Sequence, residues 1–297
     1  MALFARAAAT KRVERLAWWR DGRVKRQADP LAVEEPLEIR LCFGERSRHS
    51  TVTVTMRTPG GDFYLAAGFL FTEGILHRAD EVRGIAYCTD PAVDVAQQYN
   101  IVNVFVAPHF PYDEAKLQRR WYINSSCGVC GKASIEALQA CGLPSVRGDL
   151  QVDPDLLLAL PERLNAAQRL FRRTGGVHAA GLFDSAGNLL FAAEDVGRHN
   201  AVDKVIGQRF LEGGLPASET ILQVSGRLSF ELVQKAAMAG IPILSAISAP
   251  SSLAVDTAQA LQITLVAFDR GDHFNVYTHP QRLGLAAGAA VAQSANG

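Results

Sequence analysis

The sequence predicts an α/β fold, and two observations support that class. From residue 199 to residue 270, short apolar segments alternate with amphipathic ones, which is typical of strands and helices that form a mostly parallel sheet. Two pairs of β-rich segments, each joined by a short polar link, predict hairpins. The composition, with 48% hydrophobic and 20% charged residues, is that of an ordinary globular protein.

The first 122 residues divide into an arm and a small α+β domain. Residues 1–30 are rich in Arg and Ala and have no clear period, so we expect a loosely held arm. In the domain, over residues 31–122, a hairpin is predicted by "LEIRLCFG" and "STVTVTM". A helix that Gly74 ends is predicted by "DFYLAAGFLFTEGIL", and two further strands by "VRGIAYC" and "NIVNVFV".

The remaining chain predicts a cysteine segment, an α/β domain and a tail. Residues 123–145 hold a Cys-x-x-Cys pair, Cys127 and Cys130, and a following helix. The domain over residues 146–285 begins with one long helix at 152–176, for which Asp153 is the expected N-cap. A hairpin about "DSAGN" comes next, followed by three helix–strand pairs and an antiparallel edge strand. The small residues of 286–297 predict a disordered tail.

Charge, apolar runs and cysteine count exclude several classes of protein. Lys plus Arg and Asp plus Glu number 30 each, so neither nucleic acid nor an anionic membrane is an expected partner. No apolar run reaches the roughly 18 residues of a membrane-spanning helix, and Arg6 leaves the apolar start too short for a signal peptide. Five cysteines, an odd number, argue against a secreted disulfide framework. The cytoplasm is therefore the expected location.

Three predicted strands of the α/β domain end in polar segments rich in Gly or Ser. They are "SGRLS", with Ser225 and Arg227, "SAPSS", with Ser248, and "DRGDH", with Arg270. Because the carboxyl ends of parallel strands share one edge of a sheet, and ligands bind there, the three segments predict a ligand site. Arginine side chains and the N–H groups of a serine-capped helix suit phosphate. Ordinary turns favour the same residues, however, and no Walker or GxGxxG pattern is present.

A second polar cluster, "EDVGRHNAVDK", lies at a strand-to-helix junction over residues 194–204. A capped helix start with surface ion pairs explains its composition as well as a functional site does. His178, in "GGVHAAG", is a lone strand histidine, a type that is more often a core residue than a ligand. As candidate pocket residues we nevertheless include His178, Asp195, Arg198 and His199.

The Cys-x-x-Cys pair allows three chemistries. Zinc needs four ligands, and only one such pair exists, although His178 and His199 could complete a set in space. A thioredoxin-like redox pair fits a following helix but does not explain the nucleotide-like edge downstream. Sulfur carriage needs an exposed cysteine of low pKa, which Gly128, Gly131, Lys132 and the positive end of the next helix favour. The other three cysteines lie in apolar contexts that predict burial: Cys42, Cys88 and Cys141.

Six segments in chain order resemble one family. They are "SSCGVCGK", "HAAGLF", "EDVGRHNAVDK", "SGRLSFELVQKAAMAGIPIL", "SAPSSLAVDTA" and "YTHPQRL", and "MRTPGGDFYLAAGFLFTEGI" fits the same family upstream. The sequence is similar to the formate dehydrogenase accessory sulfurtransferases, the FdhD/NarQ family, from about residue 33 to residue 283. No single segment is decisive, whereas six in order are specific.

The resemblance implies a function and a site. Such proteins take sulfur from a cysteine desulfurase as a cysteine persulfide and deliver it to the molybdenum cofactor, bis(molybdopterin guanine dinucleotide), which formate dehydrogenase requires for activity. By position, Cys127 looks like the persulfide-bearing cysteine and Cys130 its partner. The cofactor is cargo, and no permanent metal is expected. The family's cofactor-binding segment falls on Phe268, Asp269, Arg270, Gly271, Asp272 and His273, to which the strand exits add Ser225, Arg227 and Ser248.

The resemblance also implies a homodimer, the formate dehydrogenase catalytic subunit as a partner, and a cytidine-deaminase-like α/β/α core in the C-terminal part. Deamination itself is not expected, because zinc deaminases carry H-x-E and P-C-x-x-C, whereas this chain has "HAA" and "SSCGVC" in the opposite order. Two other functions stay open. One is a thiol–disulfide oxidoreductase, and the other is a cofactor-binding chaperone that transfers no sulfur.

Overall fold

The computed structural model describes residues 8–44, 48–110, 144–146 and 148–285. The predicted helix near 132–141, the predicted tail and three of the cysteines lie outside the described residues: Cys127, Cys130 and Cys141. Within the described ranges, none of the helices combines the length and the apolarity that crossing a bilayer demands.

An antiparallel hairpin opens the described chain. Strand β1 spans Thr10–Trp18 and strand β2 spans Val24–Ala32, and Trp18 lies opposite Val24. We expected a loosely held arm over residues 1–30, and the structure places a hairpin over most of that segment instead. The sequence conceals the hairpin because apolar and charged residues occur on both faces of its strands. The two strands therefore lack the alternation of apolar and polar residues along the chain that identifies a half-buried strand.

A four-stranded sheet forms the N-terminal part of the fold. Its strands are β3 (Glu35–Phe43), β4 (Arg48–Arg57), β5 (Val82–Tyr87) and β6 (Ile101–Val106), in the order β4-β3-β6-β5. The predicted hairpin is confirmed, because β3 and β4 pair antiparallel, and both further strands are present. Helix α1 spans Asp62–Thr72, and Gly74 follows it with a φ of 67°, the left-handed conformation that commonly ends helices. A short helix, α2, spans Val95–Gln98.

The helix predicted at 152–176 is two helices in the structure. Helix α3 spans Pro154–Ala167 and helix α4 spans Arg169–Thr174. Asp153 is the N-cap as expected, and its Oδ1 accepts the N–H of Asp155 at 2.9 Å. The start of α4 has its own cap from a distant strand, because the carboxylate of Glu194 accepts the N–H groups of Leu170 and Phe171 at 2.8 and 2.7 Å. A carboxylate so far along the chain is not visible in the local sequence pattern.

A six-stranded sheet organises the second half. Its strands are β7 (His178–Asp184), β8 (Leu189–Asp195), β9 (Thr220–Val224), β10 (Ile243–Ala246), β11 (Thr264–Ala267) and β12 (Asn275–Thr278). The spatial order is β12-β11-β10-β9-β7-β8. The α/β class, the β7–β8 hairpin and the antiparallel edge strand β12 are confirmed. Within this sheet, parallel pairing is limited to β9, β10 and β11, so the sheet is mixed where we expected a mostly parallel one.

One hydrophobic core joins the two halves of the chain. Three helices of the second half contribute to this core, as α1 and both sheets do: α5 (Arg198–Leu211), α6 (Phe230–Met238) and α7 (Ser252–Ala260). Ile39 of β3, Leu65 of α1, Val205 of α5 and Leu244 of β10 belong to a single buried cluster. A smaller cluster, which includes Leu160 of α3, lies on the other face of the six-stranded sheet. The two predicted domains thus share their main core, and their division stays a prediction.

Helices α1 and α5 cross in direct backbone contact. A Cβ atom added at Gly68 would lie 1.9 Å from the carbonyl oxygen of Asp203, and one added at Gly207 would lie 1.9 Å from that of Tyr64. Both distances are far inside van der Waals contact, so the crossing requires a glycine at each position. Asp203, at this crossing, also forms a buried ion pair with a third helix: Nζ of Lys235, on α6, lies 2.9 Å from its carboxylate.

Candidate functional site

Three polar segments meet at one edge of the six-stranded sheet. Because β9, β10 and β11 are parallel, the segments that follow them lie together, as the sequence predicts. The N–H of Phe268 donates to the carbonyl of Ser248 at 3.3 Å, and the N–H of Ser251 donates to that of Leu228 at 3.0 Å. Ser251 also caps α7. Between this edge and helices α3 and α4 is a cleft of about 770 Å³.

The cleft brings together part of the predicted cofactor-binding set. Four of those residues line it: Ser225, Asp269, Arg270 and Gly271. Phe268 is joined to the cleft through Arg270, whose guanidinium lies 5.5 Å from the centre of the Phe268 ring. Asp272 and His273 pair with each other at 2.7 Å on the exposed turn. Arg227 and Ser248 lie on the converging segments, outside the cleft lining as the described residues define it.

Asp269 is a buried carboxylate in the wall of the cleft. The hydroxyl of Ser245 donates to its Oδ2 at 3.0 Å, whereas Oδ1 is buried without a hydrogen-bond partner among the described residues. Burial raises the pKa of Asp269 to about 6, because low polarity disfavours the charged form, and the Ser245 hydroxyl and the backbone N–H of Gly271 oppose this shift only in part. Since buried polar atoms are nearly always paired, Oδ1 suits a ligand that offers an N–H group.

Sequence reasoning missed two buried polar residues, one of which, Ser245, contacts Asp269. Gln223 of β9 and Ser245 of β10 are fully buried and lie next to each other in the parallel register. Neither side-chain amide atom of Gln223 has a hydrogen-bond partner in the described part of the chain. Successive side chains of a strand alternate between faces, so these two residues share the face of Ser225 and Ile247, which line the cleft. The available signal was a polar residue inside each of two otherwise apolar strands.

Two histidines lie near the three converging segments. His178 lines the cleft, and burial together with nearby Arg198 lowers its pKa. His199 lies outside the lining, with Nε2 3.3 Å from the hydroxyl of Ser229 and 3.8 Å from Glu231. Burial, then Arg198 and Lys235, lower the pKa of His199 to about 4. Both shifts favour the neutral imidazole at pH 7.

The polar cluster at residues 194–204 is mainly a buried structural network. Asp195 is fully buried, and Nζ of Lys204 lies 2.7 Å from its Oδ2. The same carboxylate accepts the N–H of Thr58 at 3.2 Å and the side-chain amide of Asn200 at 2.9 Å. These bonds tie the N-terminal sheet to α5. We expected Asp195 to line the pocket, but it lies outside the cleft lining that the described residues form. Its ion pair with Lys204 is buried, whereas the composition suggested surface ion pairs.

The predictions for the cysteines divide by position. Cys42 and Cys88 are buried and free, as expected, and burial raises the pKa of the Cys42 thiol to about 11. Cys127 and Cys130 lie outside the described residues, so their roles stay predictions. Among the residues that the structure does describe, no group of three or more His, Cys, Asp and Glu is placed to hold a metal ion. The expectation of no permanent metal stays untested, because the Cys-x-x-Cys pair was not among them.

Comparison with known proteins supplies the identity that geometry alone leaves open. The model of the FdhD/NarQ family matches residues 32–284. The chain belongs to the FdhD/NarQ family. It is 52% identical over 273 residues to the sulfur carrier protein FdhD of Streptomyces avermitilis, covering 91% of this chain and 95% of that protein. It is 44% identical over 255 residues to the protein of that name in Thermoplasma volcanium, covering 86% and 89%.

A solved structure of the FdhD/NarQ type shares the fold. The crystal structure of a protein of Desulfotalea psychrophila, assigned as a formate dehydrogenase accessory protein, matches with a TM-score of 0.70 and 26% identity. The match covers 93% of this chain and 100% of that one. The family match begins at residue 32, where β2 ends, so the β1–β2 hairpin precedes the segment that defines the FdhD/NarQ family.

Proposed function

We propose that this chain carries sulfur as a persulfide on Cys127 and delivers it to the molybdenum cofactor of formate dehydrogenase. Membership of the FdhD/NarQ family and the names of its relatives support a sulfur carrier in general. The observation that carries the finer proposal is the cleft at the ends of β9, β10 and β11. It sets the cationic Arg270 beside Asp269, whose Oδ1 has no hydrogen-bond partner among the described residues.

The guanosine diphosphate end of the cofactor fits this arrangement chemically. Guanine presents N–H donors, which a carboxylate oxygen accepts, and phosphate is the usual partner of a guanidinium. The capped start of α7 at Ser251 adds backbone N–H groups at the same edge. We therefore propose that Asp269 and Arg270 hold the base and a phosphate of the cargo, and that the molybdenum end extends away from them.

Two cysteines of this chain and a desulfurase account for each bond that forms or breaks in the proposed sulfur transfer. The Cys127 thiolate attacks the outer sulfur of a desulfurase persulfide, a new S–S bond forms at Cys127, and the desulfurase cysteine leaves as a thiolate. If Cys130 then attacks Sγ of Cys127, a disulfide forms and hydrosulfide leaves. Hydrosulfide replaces an oxo ligand of molybdenum as sulfide, and the oxygen leaves as hydroxide. If Cys130 instead accepts the outer sulfur in relay, no disulfide forms at that step.

Guanosine diphosphate binding tests the cleft. We expect the purified protein to bind this nucleotide and Arg270→Ala to weaken binding about 10-fold or more, because a hydrogen bond to a charged group contributes about 1.5–3 kcal/mol. Isothermal titration calorimetry measures both affinities. Arg83→Ala, which removes an exposed arginine from β5, is the matched control and should bind normally. Absence of binding by the wild type, or equal losses in the two variants, would contradict the assignment.

A further inference from the structure

The β1–β2 hairpin is exposed to solvent over most of its length. From residue 11 to residue 31, no side chain is buried. A two-stranded hairpin without a covering layer is only marginally stable in water, so its 9-residue strands contribute little to the core that the rest of the fold shares. A regular, exposed element of this size suits an interaction with another molecule.

One face of the hairpin carries a continuous apolar patch. Trp18 lies opposite Val24, and Leu16 precedes Trp18 by two residues, so the three side chains share a face. They are 69%, 60% and 65% exposed, respectively. We call these three residues the hairpin patch. Tryptophan at the centre of an apolar patch is the residue type that most often dominates the energy of protein–protein interfaces.

The hairpin that carries the patch is cationic overall. Residues 10–32 contain seven Lys and Arg against three Asp and Glu, in a chain whose formal net charge is zero. Arg12, Arg26 and Glu14 lie on the same face as the patch, which leaves that face with a net positive charge, and Arg26 is directly opposite Leu16. Arg26 contacts Glu14 at 3.3 Å, but both side chains are 71% exposed, so this pair leaves the cation available. Charge complementarity therefore favours an acidic surface with an apolar centre.

The base of the hairpin adjoins the lining of the cleft. The guanidinium of Arg173, on α4, donates to the hydroxyl of Thr10 at 3.3 Å. A Cβ atom at Gly176 would lie 3.8 Å from the Cβ of Ala32, and Gly176 itself lines the cleft. A protein bound to the hairpin would thus lie beside the cleft in which we propose that the cargo is held.

We propose that the hairpin patch binds the formate dehydrogenase catalytic subunit, at a surface of that subunit that is acidic with an apolar centre. The proposal rests on the proposed function, because the dehydrogenase receives the cargo that the cleft holds. A membrane fits the patch less well, since the turn that would insert first carries Arg20, Asp21 and Arg23. Nucleic acid fits less well because, of the three patch residues, only Trp18 offers an aromatic surface for base stacking.

The test is the affinity of the full chain for the purified catalytic subunit of its host's formate dehydrogenase, freed of cofactor. We expect Leu16→Ser with Trp18→Ser to weaken binding about 30-fold or more, as loss of an interface hot spot does. Val95→Ser, which alters a side chain 68% exposed on α2, is the matched control and should bind normally. Arg12→Glu should weaken binding and reduce its dependence on salt, and Arg83→Glu should do neither.

Separate readouts distinguish the possible outcomes. Guanosine diphosphate binding should be unchanged in every hairpin variant. A wild type that binds the dehydrogenase but not the nucleotide would refute the cleft assignment and would still support the docking surface. The docking surface is refuted if the wild type does not bind the subunit, or if the double variant binds as tightly as the wild type. It is equally refuted if the double variant loses only binding to the cysteine desulfurase, to anionic vesicles or to single-stranded DNA.

Discussion

Cys127→Ala is expected to abolish activation of formate dehydrogenase while the affinity for guanosine diphosphate stays at the wild-type value. The reason is chemical, because alanine has no thiolate to form a persulfide, whereas the proposed nucleotide contacts come from Asp269 and Arg270 on another segment of the chain. The experiment combines two measurements on one variant: formate oxidation by a client dehydrogenase matured with it, and nucleotide affinity by calorimetry.

The control for this prediction is Cys42→Ala. The Cys42 side chain is buried, and burial raises its thiol pKa to about 11, so it is a poor nucleophile at neutral pH. Activation should survive this change, with a modest loss of stability. A Cys127→Ala protein that still activates the dehydrogenase would favour the cofactor chaperone. Catalysis of disulfide exchange by the wild type, without nucleotide affinity, would favour the oxidoreductase.

Gly68→Ala is expected to destabilise the fold by about 3 kcal/mol, a cost typical of severe overpacking. The added Cβ would lie 1.9 Å from the carbonyl oxygen of Asp203, which is backbone and cannot rotate away. Helix α1 must therefore move from α5, which disturbs the shared core. The melting temperature, measured by calorimetry, should fall by about 6–10 °C.

Gly84→Ala is the matched control for the helix crossing. A Cβ atom at Gly84 of β5 meets nothing within 4 Å, so its stability should change by less than about 0.5 kcal/mol. Gly207→Ala, on the facing helix, should behave like Gly68→Ala because its Cβ would meet the carbonyl oxygen of Tyr64 at 1.9 Å. Wild-type melting temperatures in both helix variants would mean that α1 and α5 do not cross this closely.

The sequence predicts the parts of the fold whose signal is local. The hairpin of β3 and β4 follows from β-branched residues about a polar link, and the helix caps at Asp153 and Ser251 follow from residue type. The convergence of Ser225, Ser248 and Asp269 also follows, because one topological rule places the ends of parallel strands together.

The remaining features depend on contacts between distant segments. Glu194 caps α4 from a strand that follows it, and Asp195 is buried because Thr58, Asn200 and Lys204 satisfy it. Such partners are chosen by tertiary structure and leave no periodic pattern. The β1–β2 hairpin escapes prediction for a different reason. It has no buried face, so the alternation by which strands are identified is missing.

Mass spectrometry of the peptide that contains Cys127 tests the central claim most directly. After incubation of the purified protein with a cysteine desulfurase and cysteine, that peptide should gain the mass of one sulfur atom, and a thiol reductant should remove it. The gain should be absent without cysteine and absent in Cys127→Ala. A peptide that stays at its unmodified mass, or extra sulfur found only on Cys42, Cys88 or Cys141, would contradict sulfur carriage at this position.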